Sequence, residues 1–133
     1  MINFSDFIEI VPESPQAFHI LGYSEYRYFL HWKENLLNRS ANVDVLQQTK
    51  WENLANNYFN RSTSSFNHAI ELNSSYMWPE YHMILLNFYA GKYEQSITYL
   101  RSTVTKHPEI LDYLCDDGEF RKMRKNQKTS SSF

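Results

Sequence analysis

YHMILLNFYAGKYEQSITYLRSTVTKHP, Tyr81 to Pro108, is the stretch that decides the architecture. Two amphipathic segments meet at Ala90-Gly91-Lys92-Tyr93. In the first, Tyr81, Ile84, Leu85 and Phe88 share a helical face, and Met83, Leu86 and Tyr89 make the other side apolar too. A helix apolar on two sides is held between neighbours or lines a groove. In the second, Tyr93, Ser96, Ile97, Leu100 and Val104 form one stripe, which His107-Pro108 ends. The spacing predicts a helix, a glycine turn and a second helix.

Working outward toward the C-terminus, Glu109 to Cys115 fits a short helix broken by Asp116-Asp117-Gly118. Glu119 to Lys125 adds a last turn or two with Phe120 and Met123 inward, and 129–133 reads as a disordered tail. On the other side, Trp78-Pro79 is a good helix start, because proline in the first turn lacks an N–H that would have had no partner anyway. From Arg61 to Leu72, Ser62, Phe66, Ala69 and Ile70 make one stripe, closed by Asn73-Ser74-Ser75. Asp44 can cap a helix in which Trp51, Leu54, Ala55 and Tyr58 share a face, with Asn56-Asn57 as its end, since asparagine tolerates the left-handed conformation. Ser14-Pro15 starts another segment, whose Phe18, Leu21, Phe29, Trp32 and Leu36 recur at helical steps. Gly22-Tyr23-Ser24 either interrupts that helix or is carried inside it at about 1 kcal/mol. Residues 1–13 suit a short helix or a short strand.

Composition agrees with helices. Three glycines and four prolines are too few for the many tight turns of a sandwich or barrel. The nine Phe, ten Tyr and three Trp are a large aromatic share for 133 residues. Tyrosine hydroxyls want a partner or water, which places many of these rings at the margin of the core. The net charge of −2 gives no field toward nucleic acid. Charge is nevertheless local: Asp6, Glu9 and Glu13 stand near one end, and Arg121, Lys122, Arg124, Lys125 and Lys128 near the other. The single Cys115 excludes an intrachain disulfide and a cysteine-based zinc site. The first residues lack the basic and apolar regions of a secretory signal, and no apolar run reaches spanning length; the expectation is a cytoplasmic protein away from membranes.

Shifting the chain by 34 residues pairs Trp51 with Leu85, Leu54 with Phe88, Asn57 with Gly91, Ser62 with Ser96, Phe66 with Leu100, Ala69 with Thr103 and Ile70 with Val104. Together with this period, Tyr81, Ile84-Leu85, Phe88, Gly91-Lys92-Tyr93, Ser96, Leu100 and Pro108 resemble the tetratricopeptide repeat family. Gln47 and Lys50 depart from the family's first-helix pattern. The resemblance implies an all-α, short helical-repeat array of antiparallel helix pairs with a C-terminal capping helix. Residues 1–128 would be one domain, with units at 43–76 and 77–110, a degenerate unit at 9–42 and a cap at 111–128. The alternative is a helical bundle whose short loops imitate a repeat.

No reaction is legible. His19, His31, His68, His82 and His107 show no metal-site spacing, the acids around Gly118 lack the order of a calcium loop, and there is no phosphate loop or nucleophile elbow. No enzyme activity, metal or cofactor is expected. The resemblance implies a non-enzymatic protein–protein interaction module, an adaptor or scaffold holding a peptide or partner helix in a helical groove. Gln48, Glu52, His82, Leu86 and Tyr89 are the candidate groove residues; the other reading packs Leu86 and Tyr89 on the N-terminal helix. A homodimer is the other assembly that so short an array suits. The alternative function is a small inhibitor or immunity-type protein that blocks one enzyme. Nucleic-acid binding through the basic end is disfavoured.

Overall fold

The computed structural model describes residues 14–39, 42–116 and Arg121. Its regular elements are helices: α1 (Pro15–Leu37), α2 (Val45–Leu72), α3 (Trp78–Tyr89), α4 (Tyr93–Lys106) and α5 (Ile110–Cys115). The readings of 1–13, of the Gly118 break, of the turns after it and of the 129–133 tail lie outside the described residues, Arg121 apart. No described helix is long and apolar enough to cross a membrane.

The helix starts follow the local chemistry. Ser14 Oγ accepts from Ala17 N–H at 3.1 Å, with Pro15 in the first turn. Asp44 accepts from Leu46 N–H at 2.7 Å. Caps of this kind contribute about 1 kcal/mol each. At the other hairpin, Gly91 takes φ 80°, the left-handed region that favours glycine, and Lys92 N–H closes the turn on the Asn87 carbonyl at 2.8 Å.

α1 passes through Gly22 without a break. A Cβ at Gly22 would stand 2.6 Å from Phe66 Cδ1 and 2.7 Å from Cε1, so the missing side chain is what lets α2 approach. Ser62 Oγ donates to the Gly22 carbonyl at 2.9 Å across the same contact. Gly22→Ala is therefore expected to destabilise. Alanine in an open helical site gains about 1 kcal/mol over glycine. Here it must displace a ring that is fully buried, and overpacking costs about 1–3 kcal/mol, more when neighbours cannot move. A urea titration should show a net loss of about 1–2 kcal/mol; a gain would mean that the helices do not touch at Gly22.

One expectation is overturned. Asn56-Asn57 does not end a helix, and the two segments read on either side of it are one 28-residue helix, α2. Both asparagines are exposed, and among the described residues only glycine has positive φ. Ala55, Tyr58, Phe59, Ser62, Ser65 and Phe66 carry an inward stripe across the position, so packing against α1 outweighs a weak local stop signal. The helix pair expected within 43–76 is consequently a single helix, and the alignment of Asn57 with Gly91 sets a helix interior against a turn. The aligned second halves agree better. Ser62 and Ser96 are both buried and donate to carbonyls of the preceding helix, Gly22 and Ile84, at 2.9 and 2.8 Å. Phe66 with Leu100 and Ala69 with Thr103 are buried in both places.

α1 and α2 form the longer hairpin and run antiparallel, with Tyr28 stacked on Tyr58, Phe29 edge-on to Phe59, and Gly22 near Ser62 and Phe66. α4 packs on α3, and α3 rests against both α1 and α2. Apolar on two sides, α3 is the centre of the core: Met83, Ile84, Leu85, Leu86 and Phe88 are all buried. At its first turn, buried Glu80 meets Lys106 from the last turn of α4, with His107 Nε2 3.6 Å away.

Candidate interaction face

Where α1 meets α3, the sequence supplies rings from both sides at helical spacing: His19, Tyr23 and Tyr26 from α1, and Trp78, Tyr81, His82 and Tyr89 from α3. Steps of three and four residues keep each set on one side of its helix. The floor is Phe66 of α2, its ring stacked on His82 at 13° between planes and 5.7 Å between centroids. Tyr23, Tyr26 and Tyr81 place their rings 5.1–5.7 Å from the same imidazole. Trp78 extends the band outward, edge-on to Tyr81 at 5.4 Å and to Tyr113 of α5 at 4.9 Å. Tyr26 and Tyr89 continue it in the other direction, with centroids 6.5 Å apart.

Inside this band lies a polar chain. His19 Nε2 and His82 Nδ1 are 2.9 Å apart, His82 Nδ1 is 3.1 Å from the Trp78 carbonyl, and Tyr76 Oη is 3.2 Å from His19 Nδ1. One tautomer pair serves all three contacts. His82 Nδ1–H donates to the Trp78 carbonyl and to His19 Nε2, and His19 Nδ1–H donates to Tyr76 Oη. Burial drives the pKa of His19 down to about 4. Burial likewise lowers His82 to about 4; the proximity of His19 lowers it further, and the hydrogen bond to Trp78 opposes. Burial raises the Tyr76 hydroxyl. Both imidazoles are therefore neutral at neutral pH, joining α1, the α2–α3 connection and α3 without a net charge.

The five residues read from sequence do not form one site. His82 belongs to the band and Tyr89 is half-buried at its edge. Leu86 is fully buried, so it is core and not groove: the helix is enclosed on that side. Gln48 and Glu52 lie on the first half of α2, joined to each other by a 3.1 Å hydrogen bond. Glu52 also lines a separate cavity of about 470 Å³ with Phe29, Lys33, Phe59 and Lys92, where Lys92 sits over the Phe59 ring at 4.2 Å. His19, Tyr76 and Tyr23, which complete the cluster around His82, carry no sequence signal that links them to it. His19 is 63 residues from His82 and only the fold brings them together.

Elsewhere the chemistry is sparse. No group of three His, Cys, Asp or Glu residues suited to a metal ion occurs among the described residues, and Cys115 is half-buried. Ser65 Oγ donates to Glu25 at 2.6 Å, and burial pushes the Glu25 carboxyl up against the lowering influence of Ser65 and Arg61.

The chain matches no protein-family model, no curated protein and no solved structure.

Proposed function

We propose that this chain is a non-enzymatic protein-interaction module whose α1 and α3 present an aromatic face to a peptide or partner helix. The observation that carries this reading is the band itself. Tyr23 and Tyr113 are exposed and Trp78, Tyr81 and Tyr89 are half-buried, over a floor that is already packed. Tyr and Trp are the residues that most often dominate binding energy, because they bury large area with few rotamers to freeze. In this reading α1–α2 and α3–α4 are two stacked hairpins of a tetratricopeptide-like array, α5 is the cap, and the leading helices form the binding side. The equivalent bonds of Ser62 and Ser96 to the preceding helix support that pairing.

The test compares capture from the native host by the wild-type protein, by Tyr23→Ser/Tyr113→Ser, and by Glu94→Ala/Arg101→Ala on exposed positions of α4. Both changed tyrosines are exposed, so circular dichroism should show an unchanged fold. Two hot-spot rings are worth about 2 kcal/mol each at the centre of an interface. The tyrosine double variant should weaken its partner by at least about tenfold, and the α4 control should not. Equal recovery by all three proteins would overturn the face.

A further inference from the structure

The two histidines occupy an unusual position for titratable groups. They form a polar link between α1 and α3, an interface smaller than the one α1 makes with α2. α1 packs along most of its length on α2 and touches α3 over a short stretch. A change at the pair can therefore separate the hairpins along the α1–α3 seam while α1 stays on α2, held by the Ser62–Gly22 bond and the Phe66 contact.

We infer that the His19–His82 pair is an acid-sensitive latch on the seam, which is closed while both rings are neutral and released when they gain protons. That its release regulates partner binding rests on the function proposed above. The geometry makes the neutral state specific. His82 Nδ1–H is donated into His19 Nε2, a lone pair that exists only in the neutral ring. A proton on His19 Nε2 removes that acceptor and sets two N–H donors 2.9 Å apart.

Among the described residues, no group at the pair is placed to offset the new charge. The rings that face it are Tyr23 and Tyr26 from α1, Phe66 from α2, Tyr76 from the connection, and Tyr81 from α3. None of these five is a carboxylate, a lysine or an arginine. Among the described residues, no carboxylate, lysine or arginine is bonded to either imidazole; Arg27 donates to the Tyr23 hydroxyl, at 3.5 Å. His68 of α2 packs on Phe18, with ring centroids 4.0 Å apart. Glu80 turns to Lys106 and His107, and Glu25 to Ser65.

The sign follows from the two states. In the open seam the rings meet water and titrate near 6.5, whereas in the closed seam both lie at about 4. The open form binds more protons between these values, so closure is complete above about pH 6.5 and is lost as pH falls toward 4.

Amide hydrogen exchange at pH 7 and pH 4.5, corrected for the intrinsic rate, tests the latch in the free protein. Protection of 15–24 and 76–82 should fall at least about tenfold more than that of 96–104, which lies within α4, since each 1.4 kcal/mol of lost closure is tenfold. In His19→Gln/His82→Phe, which carries no titrating group at the seam, the two regions should change alike. An unchanged seam in the wild type, or an equal acid response in the variant, would overturn the latch. Should the variant not fold, the wild-type ring titrations decide: midpoints well below 6.5 for both histidines support it, and a midpoint near 6.5 for either overturns it. A partner captured at pH 7 and released at 4.5 by the wild type, while the variant holds the same fraction of its own pH 7 capture at both pH values, ties the latch to binding. Seam exchange that responds while capture does not would leave the latch standing and overturn its role in binding.

Discussion

Phe66→Ala should lower stability by about 3–5 kcal/mol, the range for truncating a fully buried aromatic ring. Phe66 has no exposed surface and joins its own helix to both α1 and α3. It fills the space left by Gly22 on α1, stacks on His82 of α3, and stands 5.9 Å from the His19 ring. Its removal opens a cavity beneath the histidine pair, and water reaching that cavity would relieve the burial that keeps both rings neutral. Urea unfolding measures the first effect. The second should appear in the same variant as a His82 titration midpoint moved up toward 6.5. With total stability typically about 5–15 kcal/mol for a domain, the variant should retain only a small margin. A loss below about 1 kcal/mol would mean that Phe66 is not where the three helices meet.

Leu86→Ala is the second large effect, at about 2–5 kcal/mol. Its significance lies in the contrast between two positions for one residue. As a groove residue open to solvent, Leu86 would change stability by less than about 0.5 kcal/mol when truncated, and its loss would appear in binding. With no exposed surface, it should change the denaturant midpoint strongly. The converse holds for Tyr23, which is 39% exposed: its truncation should leave the midpoint nearly unmoved.

The contrast between Leu86 and His82 shows what could be read from sequence. A two-sided apolar pattern announced that α3 would be sandwiched or groove-lining, but periodicity gives a helix its faces without saying what covers them. Caps were legible because they are local: Ser14, Asp44 and Gly91 act on atoms within a few residues. The Asn56-Asn57 stop failed for the opposite reason. Its signal is a local tolerance worth a fraction of a kcal/mol, set against the Tyr28–Tyr58 and Phe29–Phe59 ring contacts and the approach of Phe66 to Gly22 that hold α2 along α1. Gly22 was open either way in the sequence, and the deciding fact, the approach of Phe66 from 44 residues later, is tertiary. The histidine pair was illegible for the same cause. His82 was singled out on its own, while His19 was one of several isolated histidines, and no short-range spacing joins them.

The closed seam rests on contacts among His19, Phe66, Tyr76 and His82, and these are directly observable. Ring-to-ring nuclear Overhauser effects at pH 7, with the long-range nitrogen–proton correlations of both imidazoles, report them in solution. A closed seam predicts cross-peaks linking His82 to His19 and to Phe66, with both histidines as neutral Nδ1–H tautomers. Two histidines without mutual cross-peaks, each exchanging between tautomers and titrating near 6.5, would contradict it.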